Sequence, residues 1–498
     1  MRKFVAVIVA PLVILAGCGG GGSGTTTNPG GGGGGGGSSS GGGSSSGGSS
    51  SSGGNQVIAT PGPPNVEALV VDQGPTGITT PAVNTSFVSV TVCMPGTTTC
   101  QTIDHIEVDT GSSGLRILAD ATTTSGSFNL ALPAVMDPSN PSNHLAECLQ
   151  FADGFSWGSV NTADIKLPIS GKTAANVIVQ VIGAASAGSP STASPTCLPP
   201  PPINGNACLG LENDVPCFGA NGILGVGPFV NDCNSVGTCD PPNPPTINSG
   251  GVTFPANSAT YFSCTAATPT SCAEVPAGRI TTQLQLPNPV TLFAKDNNGV
   301  VIELPAVGTN GTTPPVNGSL VFGIGTEANN ALGSATKLPM CYGSGAQCML
   351  NGTPLFGTVS ATLSGISGTL VQSYLDSGSN ANFFPIPAAS IPSCLSPNDG
   401  FLCPTSTTNE NGTLTGTDGT TATANFSIAN ADSLFSQTSG CPNMTACYTA
   451  FSNLAGSNYT SSGLPNATLD LGLAFFYGHN VFTGFEQLST NTAPFFAY

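Results

Sequence analysis

Short apolar runs broken by Gly, Pro and Asn recur along this chain, at the two-residue period of strands rather than the 3.6-residue period of helices. Ser86-Phe87-Val88-Ser89-Val90-Thr91-Val92 is the clearest such run. His105 to Val108 and Val371 to Leu375 share its β-prone character, as do Val300 to Leu304, Ser319 to Ile324, Phe426 to Ile428 and Ala467 to Phe485. Gln283 to Ala294 also reads as a strand. No stretch predicts a helix longer than a few turns, so an all-β protein is expected. From about Ala185 to Arg279 prolines and cysteines replace periodic runs, apart from apolar Ile223 to Val226. That stretch reads as disulfide-tied insertions on a β framework.

Composition sharpens the picture. Only 7% of the 498 residues are charged, and 67 are Gly and 42 Pro. Eight basic against twenty-five acidic residues give a net charge of −17, which excludes nucleic acid and anionic lipid surfaces as partners on electrostatic grounds. The first residues form a processing segment: basic Arg2 and Lys3, apolar Phe4 to Leu15, then Leu15-Ala16-Gly17-Cys18. This ending is similar to the lipobox of bacterial lipoproteins. The resemblance implies that Cys18 is lipidated and becomes the mature N-terminus, in a bacterial cell envelope. Gly19, where an aspartate often retains lipoproteins at the inner membrane, favours the outer membrane. An ordinary secretory signal with a chance cysteine is the plainer alternative. Gly19 to Gly54 is almost entirely Gly and Ser, a flexible tether with an r.m.s. span of roughly 30–35 Å. The expected organisation is a signal peptide at 1–18, a tether at 19–60, and two halves at 61–330 and 331–498.

Setting Cys18 aside leaves sixteen of the seventeen cysteines, an even number suited to disulfides in an exported chain. Cys93/Cys100, Cys233/Cys239, Cys264/Cys272, Cys341/Cys348, Cys394/Cys403 and Cys441/Cys447 are close pairs suited to stapling loops. Cys148, Cys197, Cys208 and Cys217 remain to pair among themselves. No Cys-x2-Cys spacing occurs and His105, His144 and His479 are scattered, so neither a metal nor another cofactor is expected. His105 reads as a satisfied polar group at a strand's start, and His479 has no neighbouring acid or cysteine in sequence.

The chemistry lies in a duplicated pentapeptide. Val108-Asp109-Thr110-Gly111-Ser112 and Leu375-Asp376-Ser377-Gly378-Ser379 each set an aspartate, a hydroxyl residue, a glycine and a serine at the end of a β-prone run. A carboxylate at an apolar strand end is costly unless the turn donates hydrogen bonds to it. One such turn is an ordinary strand end; two suggest paired carboxylates. With these motifs the chain resembles the pepsin-like aspartic peptidases, as a divergent bacterial lipoprotein member. Asn221-Gly222-Ile223-Leu224-Gly225 and Leu469-Asp470-Leu471-Gly472 match the apolar-apolar-Gly segments that brace each Asp turn in that family.

The resemblance implies a bilobal all-β fold, two barrel-like lobes with a cleft between them, and a monomer. It implies catalysis by Asp109 and Asp376 through a shared water, acting on a peptide or protein substrate. Thr110 and Ser377 would bond across to the opposite turn, with Gly111 and Gly378 allowing the tight backbone. Ser112 and Ser379 would bond the outer carboxylate oxygens. Leu149 to Gly154 followed by Phe155 to Ser159 resembles the family's flap, with Phe151, Asp153, Gly154 and Trp157 as candidate substrate contacts. Phe151 stands where the family usually has tyrosine, and Arg116 where many members have the tryptophan that this tyrosine bonds. Two readings stay open: a flap packed differently, with Phe151 or Trp157 as an apolar lid, or altered catalysis. The alternatives to an endopeptidase are a non-catalytic surface protein binding a peptide, glycan or protein partner, and a disulfide-stapled adhesin with unrelated Asp turns.

Overall fold

The computed structural model describes residues 56–78, 81–151, 154–188, 197, 211–233, 246–249, 252–255, 260–265, 272–275, 280–342, 349–350, 353–354, 357–386, 390–395, 398, 400–436, 448–458 and 468–498. The signal peptide, Cys18 and most of the tether lie outside the described residues. The protein is mostly β, and the longest α-helix among the described residues is Ala431–Phe435. No described helix is long and apolar enough to cross a membrane.

Two sheet systems carry the two Asp turns. In the first, Ser86–Cys93 and Cys100–Asp109 form a hairpin closed by the Cys93–Cys100 disulfide. The chain turns at Thr110 to Ser112 and leaves along Ser113–Leu118. Gly222–Val226 then inserts between the two arms of the turn. It runs parallel to the incoming arm, with Gly225 opposite Asp109, and antiparallel to the outgoing one, with Gly225 opposite Gly114.

The second system repeats this plan on a smaller scale. Leu370–Leu375 leads into Asp376, and Asn382–Phe384 leads away. Asp470–Leu471 lies between them, parallel to the first with Leu471 opposite Leu375 and antiparallel to the second with Leu471 opposite Asn382.

The inserted strands end in glycines that the packing requires. A Cβ on Gly225 would fall 2.8 Å from Ser112 backbone carbon, and one on Gly472 would fall 2.2 Å from the Ala381 carbonyl oxygen. Ile103, Ile106, Val108, Leu115, Ile117, Ile223 and Leu224 pack in one apolar cluster with Leu375, Leu469 and Leu471. Ser113–Leu118 and Gly222–Val226 are buried on both faces, which keeps water from beneath the first turn.

The halves are joined by strands as well as by the turns. Asn480–Gly484 pairs with Gly299–Glu303, and Phe495–Ala497 pairs with Lys337–Pro339. The closing strands therefore return to the sheet of the first system, and the expected boundary near residue 330 falls between two strands of that sheet. Asn84 is a buried strut between the systems, donating from Nδ2 to the Asn380 and Phe451 carbonyls and accepting from the Phe451 N–H.

Gln283 to Ala294 departs from its strand expectation and contains a 3-10 turn at Pro289–Leu292. Pro289 presets the turn and the Asn288 side chain accepts from the Val290 N–H, so local capping overrides the apolar run.

Three of the expected close pairs form among the described residues, Cys93–Cys100, Cys264–Cys272 and Cys394–Cys403, and of the four cysteines left open Cys148 pairs with Cys197. Cys217 and Cys233 are disulfide-bonded too. Cys208, Cys239, Cys348, Cys441 and Cys447 lie outside the described residues.

Candidate functional site

Each Asp turn wraps its own carboxylate. The Gly111 N–H donates to Asp109 Oδ1 at 2.6 Å, and Ser112 Oγ donates to Asp109 Oδ2. The Gly378 N–H donates to Asp376 Oδ1 at 2.9 Å, and Ser379 Oγ lies 3.2 Å from Asp376 Oδ2. In both turns the amide two residues on and the hydroxyl three residues on serve the carboxylate, which offsets its desolvation.

The turns also hold each other. Thr110 Oγ1 donates to the Leu375 carbonyl at 3.1 Å and accepts from the Ser377 N–H at 2.9 Å. Ser377 Oγ donates to the Val108 carbonyl at 2.6 Å and accepts from the Thr110 N–H at 3.1 Å. Both residues are buried. Each hydroxyl uses one donor and one acceptor, so the four bonds close on themselves and leave none of these groups unsatisfied.

This grip forces the aspartates together. A Cβ on Gly111 would lie 2.7 Å from the Asp376 carboxyl atoms, and one on Gly378 would lie 2.6 Å from Asp109 Oδ1. Only a residue without a side chain fits at either place. Asp376 is pushed well above the usual carboxylate range, first by loss of water, then by the charges of Asp109 and Asp470.

Asp470 joins them as a third carboxyl. It lies within the apolar brace Leu469 to Gly472, and its pKa rises to about 8 through burial, against the Ser379 hydrogen bond that lowers it, with the Asp109 charge adding. The sequence signal for it was an acid at the place where Ile223 stands in the first brace.

In the hairpin of Asn140–Gln150 and Phe155–Lys166 the Phe151 N–H donates to the Gly154 carbonyl at 2.7 Å. Phe151 is half-buried and packs edge-on against Phe218, with ring centroids 5.7 Å apart. Asp153 lies outside the described residues.

Trp157 is not a lid. It is wholly buried, donates from Nε1 to the Ala187 carbonyl and packs edge-on against Phe262 beside the Cys148–Cys197 disulfide. Its large apolar surface is spent joining the hairpin to the insertion strand Tyr261–Thr265, away from solvent.

Arg116 does couple the first Asp turn to the hairpin, by charge. It is wholly buried and donates to both Glu147 oxygens, from Nε at 3.1 Å and from an Nη at 2.7 Å, and to the Ser113 carbonyl. Asp232 lies 3.6 Å away and accepts from the Tyr261 hydroxyl. Burial and the Glu147 charge push Asp232 well above its ordinary range despite Arg116. Sequence reasoning marked Arg116 but not Glu147, Asp232 or Tyr261, which are far apart in the chain.

His479 has no acid against it; its Nδ1 lies 2.7 Å from the Phe475 carbonyl and its ring stacks on Phe475. Among the described residues one group of Cys and Asp has a metal-like arrangement, Cys394, Cys403 and Asp432, and its sulfurs are joined as a disulfide. They offer no thiolate to an ion.

A family model matches residues 61–498, and the chain belongs to that family, described as a protein of unknown function, DUF3443. No curated protein matches the chain.

Proposed function

We propose that this protein is an aspartic endopeptidase of pepsin-like, bilobal form, exported and tethered through a lipidated Cys18 to a bacterial cell envelope, with the outer membrane favoured. One observation carries the catalytic reading: Thr110 and Ser377 clasp two like turns so closely that the glycine of each turn lies against the aspartate of the other.

In this reading Asp109, served by the Gly111 amide and the Ser112 hydroxyl, is the ionised member and takes a proton from water as the water attacks a peptide carbonyl. Asp376 holds the proton, hydrogen-bonds the carbonyl oxygen as it gains charge, and passes the proton toward the leaving nitrogen. The acid and base sit on opposite turns, and the grip fixes their separation. Activity requires Asp109 ionised and Asp376 protonated, which gives a bell-shaped pH profile whose alkaline limb reports Asp376.

The test is cleavage of unstructured peptides across pH 3–8. Asp109→Asn and Asp376→Asn are each expected to lower kcat/KM by about 10³-fold or more. Cleavage that survives both substitutions ends the assignment.

A second reading, a binder of peptide, glycan or protein without catalysis, draws on the hairpin. Phe151 has no hydroxyl to offer a substrate, and Arg116 is fully engaged with Glu147 and Ser113. Tight binding of a statine peptide, which mimics the tetrahedral intermediate, favours the peptidase; failure to bind it favours this second reading.

A further inference from the structure

Strand for strand, Asp470-Leu471-Gly472 takes in the second half the place of Ile223-Leu224-Gly225 in the first. Ile223 is buried and apolar; Asp470 is equally buried, at 6% exposure, and brings a carboxyl. Its Oδ2 lies 2.6 Å from Ser379 Oγ, while its Oδ1 has no hydrogen-bond partner. The same Oγ lies 3.2 Å from Asp376 Oδ2. A hydroxyl has a single hydrogen to donate, and here two carboxyl oxygens compete for it.

That competition breaks the likeness of the two aspartates. Ser112 has Asp109 as its one carboxyl, so Asp109 keeps both an amide and a hydroxyl donor. Ser379 stands nearer Asp470, and Asp376 then rests on the Gly378 amide alone. The aspartate with more donors is the better anion.

We propose that Asp470 is a positioning residue of the Asp pair: by drawing the Ser379 hydroxyl and facing Asp376 with its own carboxyl, it holds the shared proton on Asp376. The proposal rests on the paired-aspartate reading above.

The groups facing Asp470 agree with this. On one neighbouring strand, Tyr374 lies opposite it and stays a neutral phenol, pushed well up by burial and by the charges of Asp470 and Asp376. On the other, Asn382–Phe384 carries no titratable side chain. Across the grip is Asp109, whose charge discourages ionisation of Asp470. The Leu473 N–H donates to the Ser379 carbonyl at 2.7 Å and keeps the serine against the brace. After burial and the Asp109 charge, the Asp470 charge is a further cause that pushes Asp376 up, so an ionised Asp470 opposes release of the Asp376 proton.

The experiment compares the full chain with Asp470→Leu, which repeats the apolar first brace, and Asp470→Asn, which keeps the shape if the leucine variant does not fold. Two readouts are taken: the pH profile of kcat/KM on a peptide, and the titration of Asp376 followed by carboxyl carbon NMR. The expected result is a fall of about one pH unit or more in the alkaline limb and in the Asp376 midpoint, with the acid limb nearly unmoved. An Asp376 midpoint and alkaline limb that stay in place in a folded variant overturn the proposal, while the Asp pair stands on its own test. If the wild type cleaves nothing but the Asp376 midpoint falls in the variants, the proton placement holds and the peptidase reading fails.

Discussion

The two Asp turns have the same backbone and different surroundings. Both arriving strands carry a bulge at the same distance from the aspartate: pairing with the neighbouring strand skips between Ile103 and Ile106 in the first and between Leu370 and Ser373 in the second. Both turns receive a parallel brace ending in glycine, and both offer an amide and a serine to the carboxylate. The first sits on a ten-residue strand with an apolar brace; the second sits on a six-residue strand with an acid in its brace. Backbone likeness makes the aspartates meet. Unlike side chains give the two carboxyls different donors.

If the backbone plan is shared, the bracing glycines are needed in both halves. Gly225→Ala and Gly472→Ala are each expected to lower the unfolding free energy by about 3 kcal/mol or more, because the new Cβ meets backbone that cannot step aside. The larger loss belongs to Gly472, where the collision is at 2.2 Å against 2.8 Å. Urea unfolding measures both. A loss below about 1 kcal/mol at either position breaks the likeness of the halves.

Much of this was legible beforehand. The pentapeptides and their braces are local patterns, and strands such as Ser86–Cys93 and Phe426–Ile428 follow their apolar spacing closely. What escaped was made by contacts between distant segments. Trp157 reads as a lid from its place near the hairpin tip, but strand register turns it toward Phe262, which the sequence puts in an unrelated insertion. Glu147 and Asp232 gain meaning only when folding brings them to Arg116. Asp470 was visible as an acid among apolar residues, but its effect depends on which hydroxyl it reaches.

The reciprocal grip offers a sharper comparison, since Thr110 and Ser377 do the same work from opposite sides. Thr110→Val leaves the Leu375 carbonyl and the Ser377 N–H without partners; Ser377→Ala leaves the Val108 carbonyl and the Thr110 N–H. Each is expected to cost about 1–3 kcal/mol of stability and to lower peptide cleavage as the aspartates separate. The double variant costs less than the sum, because either single change already opens the closed set of four bonds. Strict additivity in a double-mutant cycle contradicts a cooperative grip.

The smallest expected effect concerns the bulges. His105 lies in the first one, at a positive φ of 48°, where its Nε2 is 3.2 Å from Asp72 Oδ2 and its Nδ1 is 3.3 Å from Asp104 Oδ1. Gln372, four residues before Asp376, is the uncharged counterpart in the second. Burial alone would lower the His105 pKa, but the hydrogen bonds and charges of Asp104 and Asp72 hold it up to about 9. A histidine whose folded value lies above its unfolded one lends full stability below pH 6.5 and loses it as pH rises through 9. The His105 share of the decline in unfolding free energy across that window is therefore expected to be about 1–2 kcal/mol, after allowance for solvent screening. His105→Asn, which tolerates the same backbone, should decline less than the wild type by that amount; the fall from Asp470, raised to about 8 by burial, is common to both, and His479 and His144, held below the ordinary value by burial, contribute none there. Urea titrations at pH 6 and pH 9 separate the cases. An equal decline in the variant would show that the first bulge is held by its backbone, as the second is, and not by charge.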